Sequence, residues 1–332
     1  MSNLRLTLKQ ALDGLPDPAK THHILESCLT KDAVFHAAHP INQAVGTEAI
    51  EQKIYQPLHH AMPGYQRRDE LFMMGQSQTG SGDWMAAMGH YVGRFREPLF
   101  GIPASDKLVF LRYGEFYRLT DGRIAEARIM FDFVDLMRQA GHVPHPDLPL
   151  IHALGTEMLF PAPATHDGII LADPDLNLSH CSVNLVEAML ADLKAYDPQS
   201  FQSANQTGDG GYWHENMLWY GPAGIGSNVT YPGFDKDHRI AFLQAFPDRV
   251  GGNHFARFGD GNYVASGGWP SINATHKGDY LGIKATDRPI TMRVMDFWRC
   301  AGTGPSTYQI MENWVFIDMP DLYRQLGIEL FG

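Results

Sequence analysis

The chain has 332 residues, of which 44% are hydrophobic and 19% charged, and its formal net charge is −11 at pH 7. This length and apolar content predict two packed domains, and the low charged fraction excludes long disordered tails. An acidic chain without a basic cluster lacks the electrostatic footprint of a nucleic-acid-binding protein. Three scattered cysteines, the lack of a secretory segment and the lack of any apolar run near the roughly 20 residues that span a bilayer predict a cytoplasmic protein.

The first half has the residue pattern of three helices followed by antiparallel strands, which is the order of the α+β class. Apolar residues at helical spacing predict helices over residues 4–12, 17–28 and 47–62, the second with an N-cap at Asp17. Strand-like runs follow at residues 33–36, 68–74, 84–96, 108–119 and 123–133. The second half repeats this order after a helix predicted over residues 182–196.

A short motif occurs twice, at residues 131–141 and 317–327, and joins a predicted strand to a short helix. Six positions are identical between the copies, and each copy ends in Gly, the residue that best tolerates a left-handed C-cap. A proline-rich stretch separates the two halves. The repeat predicts a duplication, with domain 1 at residues 1–145, a connector at 146–179 and domain 2 at 180–332.

The residues that carry a family resemblance follow the same order in both halves. They are Gly101–Lys107, 115–118, Glu126, Asp132 and 136–141 in the first half, and 282–288, 296–299, 312–314, Asp318 and 322–327 in the second. This order resembles the SnoaL-like polyketide cyclase family of the nuclear transport factor 2-like superfamily. The resemblance implies two tandem cone-shaped α+β barrels, with helices packed on a curved antiparallel or mixed sheet. The superfamily uses one pocket for cyclases, isomerases, hydrolases and binding domains, so the fold leaves the reaction open.

The last predicted strand of each half ends in an aspartate, Asp132 or Asp318. A carboxylate at the end of an apolar strand face is partly desolvated, which raises its pKa and suits it to move protons. The resemblance implies the same role, because family cyclases close a ring by aldol chemistry with an Asp acid/base and no metal or organic cofactor. The structural alternative is N-capping of the following helix, for which Asp135 and Asp321 are nearer and better placed.

Glu115 and Asp296 occupy matching positions and are further acid/base candidates. Their structural alternative is an ion pair with a nearby arginine, among Arg118, Arg128, Arg293 and Arg299. His90 lies on a predicted strand and could tune a carboxylate, or it could be a satisfied structural residue. Its position in the second half holds Trp269, so the halves are not expected to be chemically equivalent. His36 and His39 lack an acidic or Cys partner at metal-ligand spacing, and no metal site is predicted.

Aromatic side chains predict an apolar pocket, since aromatic walls suit planar or apolar ligands, although core packing is the alternative. The second half holds most of the tryptophans, and Trp314 and Phe316 share the strand face of Asp318. The predicted ligand-binding residues are Trp314, Phe316, Glu312, Trp298, Trp269, Trp219, Arg128, Glu126 and His36.

Three classes of function therefore remain open. The first is a cofactor-free cyclase, isomerase or hydrolase acting on a small carbonyl or ester compound, and the second is a non-catalytic small-molecule-binding protein. The third is a scaffold with filled cones, which predicts no cavity in either half. The first two predict a small apolar or aromatic carbonyl ligand, and none predicts a nucleic-acid or membrane partner. The two halves are expected to associate as an intramolecular pseudo-dimer, with further homo-oligomerisation left open.

Overall fold

A computed structural model describes residues 2–142, 158–208, 210–304 and 307–331. Its first half begins with helices and continues with strands, as the apolar spacing predicts. Its elements are α1 (Ser2–Gly14), α2 (Thr21–Cys28), β1 (Leu29–Ala37), β2 (Gln43–Val45), α3 (Thr47–Ile50), α4 (Gln56–Ala61), β3 (Gln66–Gln76), β4 (Asp83–Arg94), β5 (Leu108–Thr120), β6 (Arg123–Phe131) and α5 (Phe133–Ala140). A π-helical turn at Glu51–Tyr55 joins α3 to α4, so the two form one continuous helix.

The second half repeats this order. Its elements are α6 (Leu176–Lys194), β7 (Trp213–Tyr220), β8 (Ser227–Val229), α7 (Tyr231–Phe234), α8 (Ile240–Ala245), β9 (Val250–Gly251), β10 (His254–Asp260), β11 (Tyr263–Thr275), β12 (Pro289–Ala301), β13 (Gln309–Ile317) and α9 (Met319–Leu326). A π-helical turn at Asp235–Arg239 joins α7 to α8, as in the first half.

The two sheets have the same strand order. It is β2-β1-β6-β5-β4-β3 in the first and β8-β7-β13-β12-β11-β10 in the second, where β9 also pairs with β11. In both sheets the pair formed by the first and last long strands is parallel, β1 with β6 and β7 with β13. This repeat confirms the predicted duplication and the α+β class. The chain folds as two tandem cone-shaped α+β domains in which helices cover one face of a curved sheet.

Both copies of the repeated motif end their helix as predicted. Gly141 and Gly327 follow α5 and α9 in the left-handed conformation, with φ of 87° and 100°. Glycine has no Cβ to clash in this conformation, so it ends the helix without steric strain.

The N-caps of these helices are Asp132 and Asp318. Their side chains accept hydrogen bonds from the backbone N–H of Asp135 at 2.9 Å and of Asp321 at 3.3 Å. The prediction that Asp135 and Asp321 are the caps is therefore wrong. Each strand runs up to the residue before Asp132 or Asp318, which leaves that residue as the non-helical position where a cap must lie.

Two other helix starts also differ from the prediction. The helix expected from Asp17 begins at Thr21, because Asp17 instead accepts the backbone N–H of Ala19 at 3.0 Å and closes a preceding turn. The helix expected from residue 182 begins at Leu176, where Asp175 supplies the N-cap to Leu178.

The sheet faces that the helices leave uncovered pack against each other. Phe116 of β5 lies between them, with its ring 5.4 Å from Phe297 and 5.5 Å from Phe255 of the second domain. Close packing also requires Gly114, where an added Cβ would lie 2.9 Å from the ring of Phe316. We call this side of each sheet the interdomain face, and the helix-covered side the cone interior.

Part of the predicted connector contacts both domains. The indole Nε1 of Trp314 donates to the carbonyl of Pro161 at 2.9 Å, and Arg5 of α1 donates to the carbonyl of Ile170 at 3.0 Å. Residues 146–157 of this segment lie outside the described residues, and α6 begins within its last part. The domain boundaries therefore stay a prediction.

Candidate functional site

Each cone interior carries a carboxylate at the same position of its sheet, Glu115 on β5 and Asp296 on β12. Their chain neighbours Phe116 and Phe297 contact each other on the interdomain face. Because side chains alternate along a strand, the two carboxylates point the other way, into the cones. They are counterparts, but their surroundings differ.

Glu115 in the first cone is neutralised by a buried arginine. Arg67 Nη2 lies 2.6 Å from Glu115 and 2.8 Å from Asp69, and the three side chains are at most 1% exposed. The hydroxyl of Tyr91 also donates to Glu115 at 3.0 Å. The ion pair that the sequence left open for Glu115 is therefore present, but Arg67 forms it instead of Arg118 or the other arginines considered.

Asp69 has a second cation beside it. Lys9 of α1 lies 3.0 Å from its carboxylate, and the hydroxyl of Tyr113 donates to it. Although burial opposes ionisation, the charges of Arg67 and Lys9 lower the pKa of Asp69. The first cone thus holds two carboxylates that are balanced by two cations, which hold the pKa of Asp69 below its usual range.

Asp296 in the second cone forms no ion pair with any described residue. The nearby Arg257 turns to Glu187 of α6 and to Ser266, each at 3.2 Å. Burial raises the pKa of Asp296 to about 7, and a hydrogen bond from Asn313 and the charge of Arg257 offset this only in part. The side chain keeps some accessible surface. It is a carboxyl group that exchanges its proton close to neutral pH.

Trp219 and Trp298, two of the predicted ligand-binding residues, are buried in the core of the second domain near Asp296. Trp298 is two residues from Asp296 on β12, and both Trp298 and Trp219 lie opposite Asn313 across neighbouring strand pairs. Trp219 stacks on the ring of His238 with 4.6 Å between centroids. Planar walls of this kind suit an apolar or aromatic ligand.

Three buried polar atoms in this cone have no hydrogen-bond partner among the described residues: Trp298 Nε1, His238 Nδ1 and Asn228 Nδ2. Asn228 lies opposite Trp219 and therefore shares its face of the sheet. Native proteins pair nearly all such atoms, so these three are unsatisfied groups of the second cone, as are the Tyr65 and Tyr117 hydroxyls of the first cone. Sequence reasoning missed His238 and Asn228, because neither lies in a motif and their position depends on Trp219.

Asp132, proposed from sequence as a base, lies on the interdomain face. Besides its capping bond, it accepts the backbone N–H of Ala223 from the second domain at 3.0 Å and lies 3.4 Å from Arg112. Burial raises the pKa of Asp132 to about 6 against the opposing charge of Arg112. Its oxygens are occupied by the contact between domains and do not point into the first cone.

Asp318 has the mirrored arrangement. It accepts the backbone N–H of His39 from the first domain at 3.0 Å, and Arg293 lies 2.9 Å away. Burial raises the pKa of Asp318, and Arg293 opposes the shift. The sequence left two roles open for Asp132 and Asp318, catalysis and N-capping of the following helix. The geometry gives both residues the N-capping role.

Glu126, Arg128 and His36 come together at the edge of the interdomain face. Glu126 lies 2.6 Å from Arg128, 3.0 Å from Arg118 and 3.8 Å from His36. The guanidinium of Arg128 stacks over Phe255 of the second domain at 4.2 Å. These predicted ligand-binding residues thus form a charged cluster of their own, separate from either cone interior.

Glu312, Trp314 and Phe316 are buried on the interdomain face of the second sheet. Glu312 pairs with Arg299 and accepts the backbone N–H of Ala164 from the connector at 3.2 Å. The connector therefore covers this face, and these three predicted ligand-binding residues contact protein there.

His90 and Trp269 also lie outside the cones. His90 is 3.6 Å from Glu70, and its ring contacts Phe160 of the connector at 5.9 Å. Trp269 lies under the guanidinium of Arg293 at 4.9 Å. His90 thus lies beside the carboxylate of Glu70, outside the cone that holds Glu115.

Within the described ranges, no group of three or more His, Cys, Asp or Glu side chains could hold a metal ion. Within the same ranges, no helix is long and apolar enough to cross a membrane.

The fold is that of two tandem cone-shaped α+β domains. Residues 17–140, in the first domain, match the family model described as SnoaL-like polyketide cyclase. The second domain repeats the strand order of the first. Comparison with functionally curated proteins gave no match.

Solved structures similar to this chain each match a single domain. TsrD from Streptomyces laurentii is 20% identical over 42% of this chain and 98% of its own, with a TM-score of 0.34. IdmH from Streptomyces antibioticus is 19% identical over 40% of this chain and 97% of its own, with a TM-score of 0.33. An NTF2-like protein from Burkholderia pseudomallei is 13% identical over 42% and 97%, with a TM-score of 0.33.

Proposed function

We propose that the second cone is an active site in which Asp296 acts as general acid and base on a small carbonyl compound. One observation carries the proposal: Asp296 is a partly accessible carboxyl group without an ionic partner among the described residues, and its pKa of about 7 suits proton transfer at neutral pH. The counterpart Glu115 lacks this property because it is paired with Arg67. The two cones are therefore not two copies of one active site.

The chemistry follows from one proton transfer in each direction. Ionised Asp296 takes the proton from the carbon beside a carbonyl, and the C–H electron pair becomes part of an enolate. When the enolate carbon attacks a second carbonyl and closes a ring, Asp296 returns the proton to the alkoxide. The carboxylate is regenerated, and the cycle uses no metal or organic cofactor. Isomerisation shares the first step, and ester hydrolysis would use Asp296 to deprotonate water.

The walls of the second cone support an apolar or aromatic substrate. Trp219, Trp298 and Phe242 offer planar surfaces, and the unpaired Asn228 amide and Trp298 indole N–H offer donors for carbonyl oxygens. We infer a planar substrate with two or more carbonyl groups, since a cyclase needs one carbon acid and one acceptor.

The test is deuterium exchange in D₂O, followed by NMR on a panel of β-dicarbonyl and aryl ketone compounds. Removal of the α-proton is the step that all these reactions begin with, so the final product need not be known. We expect Asp296→Asn to slow exchange by about 10²-fold or more. Asp318→Asn, a carboxylate of the same domain on the other sheet face, is the matched control and keeps the wild-type exchange rate in folded protein. Exchange at the wild-type rate in Asp296→Asn would reject the proposal.

A non-catalytic ligand-binding protein is the second candidate, since the same aromatic walls and unpaired polar atoms would serve binding alone. It predicts that compounds of this panel bind and shift the tryptophan fluorescence without any exchange of their α-protons.

We also propose that the two halves act as an intramolecular pseudo-dimer, with domains at residues 1–145 and 180–332 joined by the connector 146–179. The contacts of Phe116 with Phe297 and Phe255 support this, because each half covers the open sheet of the other.

A further inference from the structure

We propose that His238 is a second catalytic residue of the second cone, and that its Nε2–H donates a hydrogen bond to the substrate carbonyl oxygen while Asp296 removes the proton. The inference rests on the proposed function of Asp296 and adds the group that would stabilise the negative charge on oxygen.

The ring of His238 is held by aromatic side chains. It stacks on Trp219 at 4.6 Å with 18° between the ring planes, and Phe234 and Phe242 lie at 5.5 and 5.7 Å. Trp219 and Trp298 both lie opposite Asn313, and Trp298 is two residues from Asp296, so His238 stacks on the sheet face that carries Asp296. Packing on three rings fixes the imidazole plane, as a preorganised donor requires.

The two ring nitrogens of His238 have different surroundings. Nδ1 is sealed from solvent and has no partner among the described residues. Nε2 forms no hydrogen bond with a described residue and is not among the sealed unpaired atoms, so it is the ring nitrogen that keeps accessible surface. Of the two nitrogens, only Nε2 is therefore open to a hydrogen-bond partner.

The imidazole is neutral in this environment, because burial lowers the pKa of His238 to about 3. A neutral imidazole carries one proton, which is either on sealed Nδ1 or on open Nε2. A buried N–H donor without an acceptor is destabilising, which favours the proton on Nε2. The group facing the cone is therefore an N–H donor.

In this step His238 acts only as a hydrogen-bond donor, and the electron pairs move within the substrate. The C–H pair that Asp296 releases forms the carbon–carbon double bond, and the π pair of the carbonyl moves onto oxygen. The hydrogen bond from Nε2 strengthens as this charge develops, and the proton stays on nitrogen. Loss of one such donor typically lowers the rate about 10²–10³-fold.

The first cone has no such donor at the matching place. The π-helical turns at Glu51–Tyr55 and Asp235–Arg239 are counterparts, and the fourth residue of each is Ile54 or His238. Ile54 is buried and apolar. At the matching positions of the first cone, the carboxylate of Glu115 is thus paired with Arg67, and an apolar residue stands where the second cone has His238.

The test uses 4-nitrophenolate as a stable mimic of the enolate oxygen. Below the pKa of Asp296 the carboxyl is protonated, so the wild-type protein should bind the phenolate and lower the apparent pKa of 4-nitrophenol, read from its absorbance. We expect His238→Phe to weaken binding at least 10-fold and His238→Gln, which keeps an N–H donor, to weaken it less. His276→Gln, a buried histidine bonded to Thr286 at 3.0 Å, is the matched control and should bind like the wild type.

Asp296→Asn separates this proposal from the proposed function. It should still bind 4-nitrophenolate, since His238 is intact, while its deuterium exchange is lost. If 4-nitrophenolate does not bind the wild-type protein, or binds His238→Phe equally well, the role of His238 is refuted whatever Asp296 does. Should His238→Phe not fold, ¹⁵N NMR of the wild type decides: the Nε2 resonance of His238 must shift on saturation with 4-nitrophenolate, and an unchanged resonance overturns the proposal.

Discussion

The carboxylate of Asp318 accepts the backbone N–H of His39 at 3.0 Å across the boundary between the two domains. Asp132 accepts the backbone N–H of Ala223 in the same way, also at 3.0 Å. Each carboxylate thus caps a helix of its own domain and holds a loop of the other. This double role gives a structural reason for an aspartate at this position in both copies of the motif.

Replacement of Asp318 by alanine should destabilise the whole chain. The variant loses an N-cap and leaves the N–H of His39 and the guanidinium of Arg293 without their acceptor, which together amount to about 3 kcal/mol. Urea unfolding measures the loss. Glu26→Ala is the control. Glu26 is exposed and its carboxylate lies 3.5 Å from the exposed His22, so this variant should change the free energy of unfolding by less than about 0.5 kcal/mol. Equal stability of the two variants would contradict the double role of Asp318.

Gly114→Val tests the packing between the domains. Its first side-chain carbon would lie 2.9 Å from the ring of Phe316, so the sheets must separate or rearrange, at a cost of about 1–3 kcal/mol. Gly251→Val, on an edge strand with no atom within 4 Å, is the control for added volume alone. Thermal unfolding compares them, and an unchanged Tm for Gly114→Val would mean that the observed sheet contact is absent in solution.

The pH dependence of stability should report Asp296. Its folded pKa of about 7 lies above the unfolded value of 3.8, so the folded state holds the proton more tightly. The stabilisation that this proton gives the folded state is fully present below about pH 4 and is lost as the pH rises through 7. Asp296→Asn has no proton to lose, so its free energy of unfolding should rise relative to that of the wild type over this range, by at most a few kcal/mol. Parallel stability curves for the two proteins would show that Asp296 does not titrate there.

The duplication and the α+β order could be predicted because glycine caps, turn signals and strand spacing are local. Alternation along β13 also correctly grouped Trp314, Phe316 and Asp318 on one face. The sequence could not tell which face the helices cover, since the partner domain buries the other face with equally apolar residues such as Phe116. Asp132 and Asp318 were therefore assigned to a pocket although they lie between the domains.

The difference between the two cones was also beyond sequence reasoning. Glu115 is paired because Arg67 of β3 reaches it, whereas Arg257 of β10 turns to Glu187 of α6. Both arginines lie on the edge strand of their sheet, but at different registers: Arg257 is aligned with Asp296 through Ser266, whereas Arg67 lies opposite Tyr91.

The most direct test of the account is the titration of Asp296 followed by ¹³C NMR of its carboxyl carbon in the intact chain, with Asp296→Asn used to assign the resonance. The account predicts a single transition with a pKa of about 7. A pKa near 4, the ordinary value for a solvated aspartate, would mean that the carboxyl is solvated or paired, and would contradict Asp296 as the acid/base of the second cone.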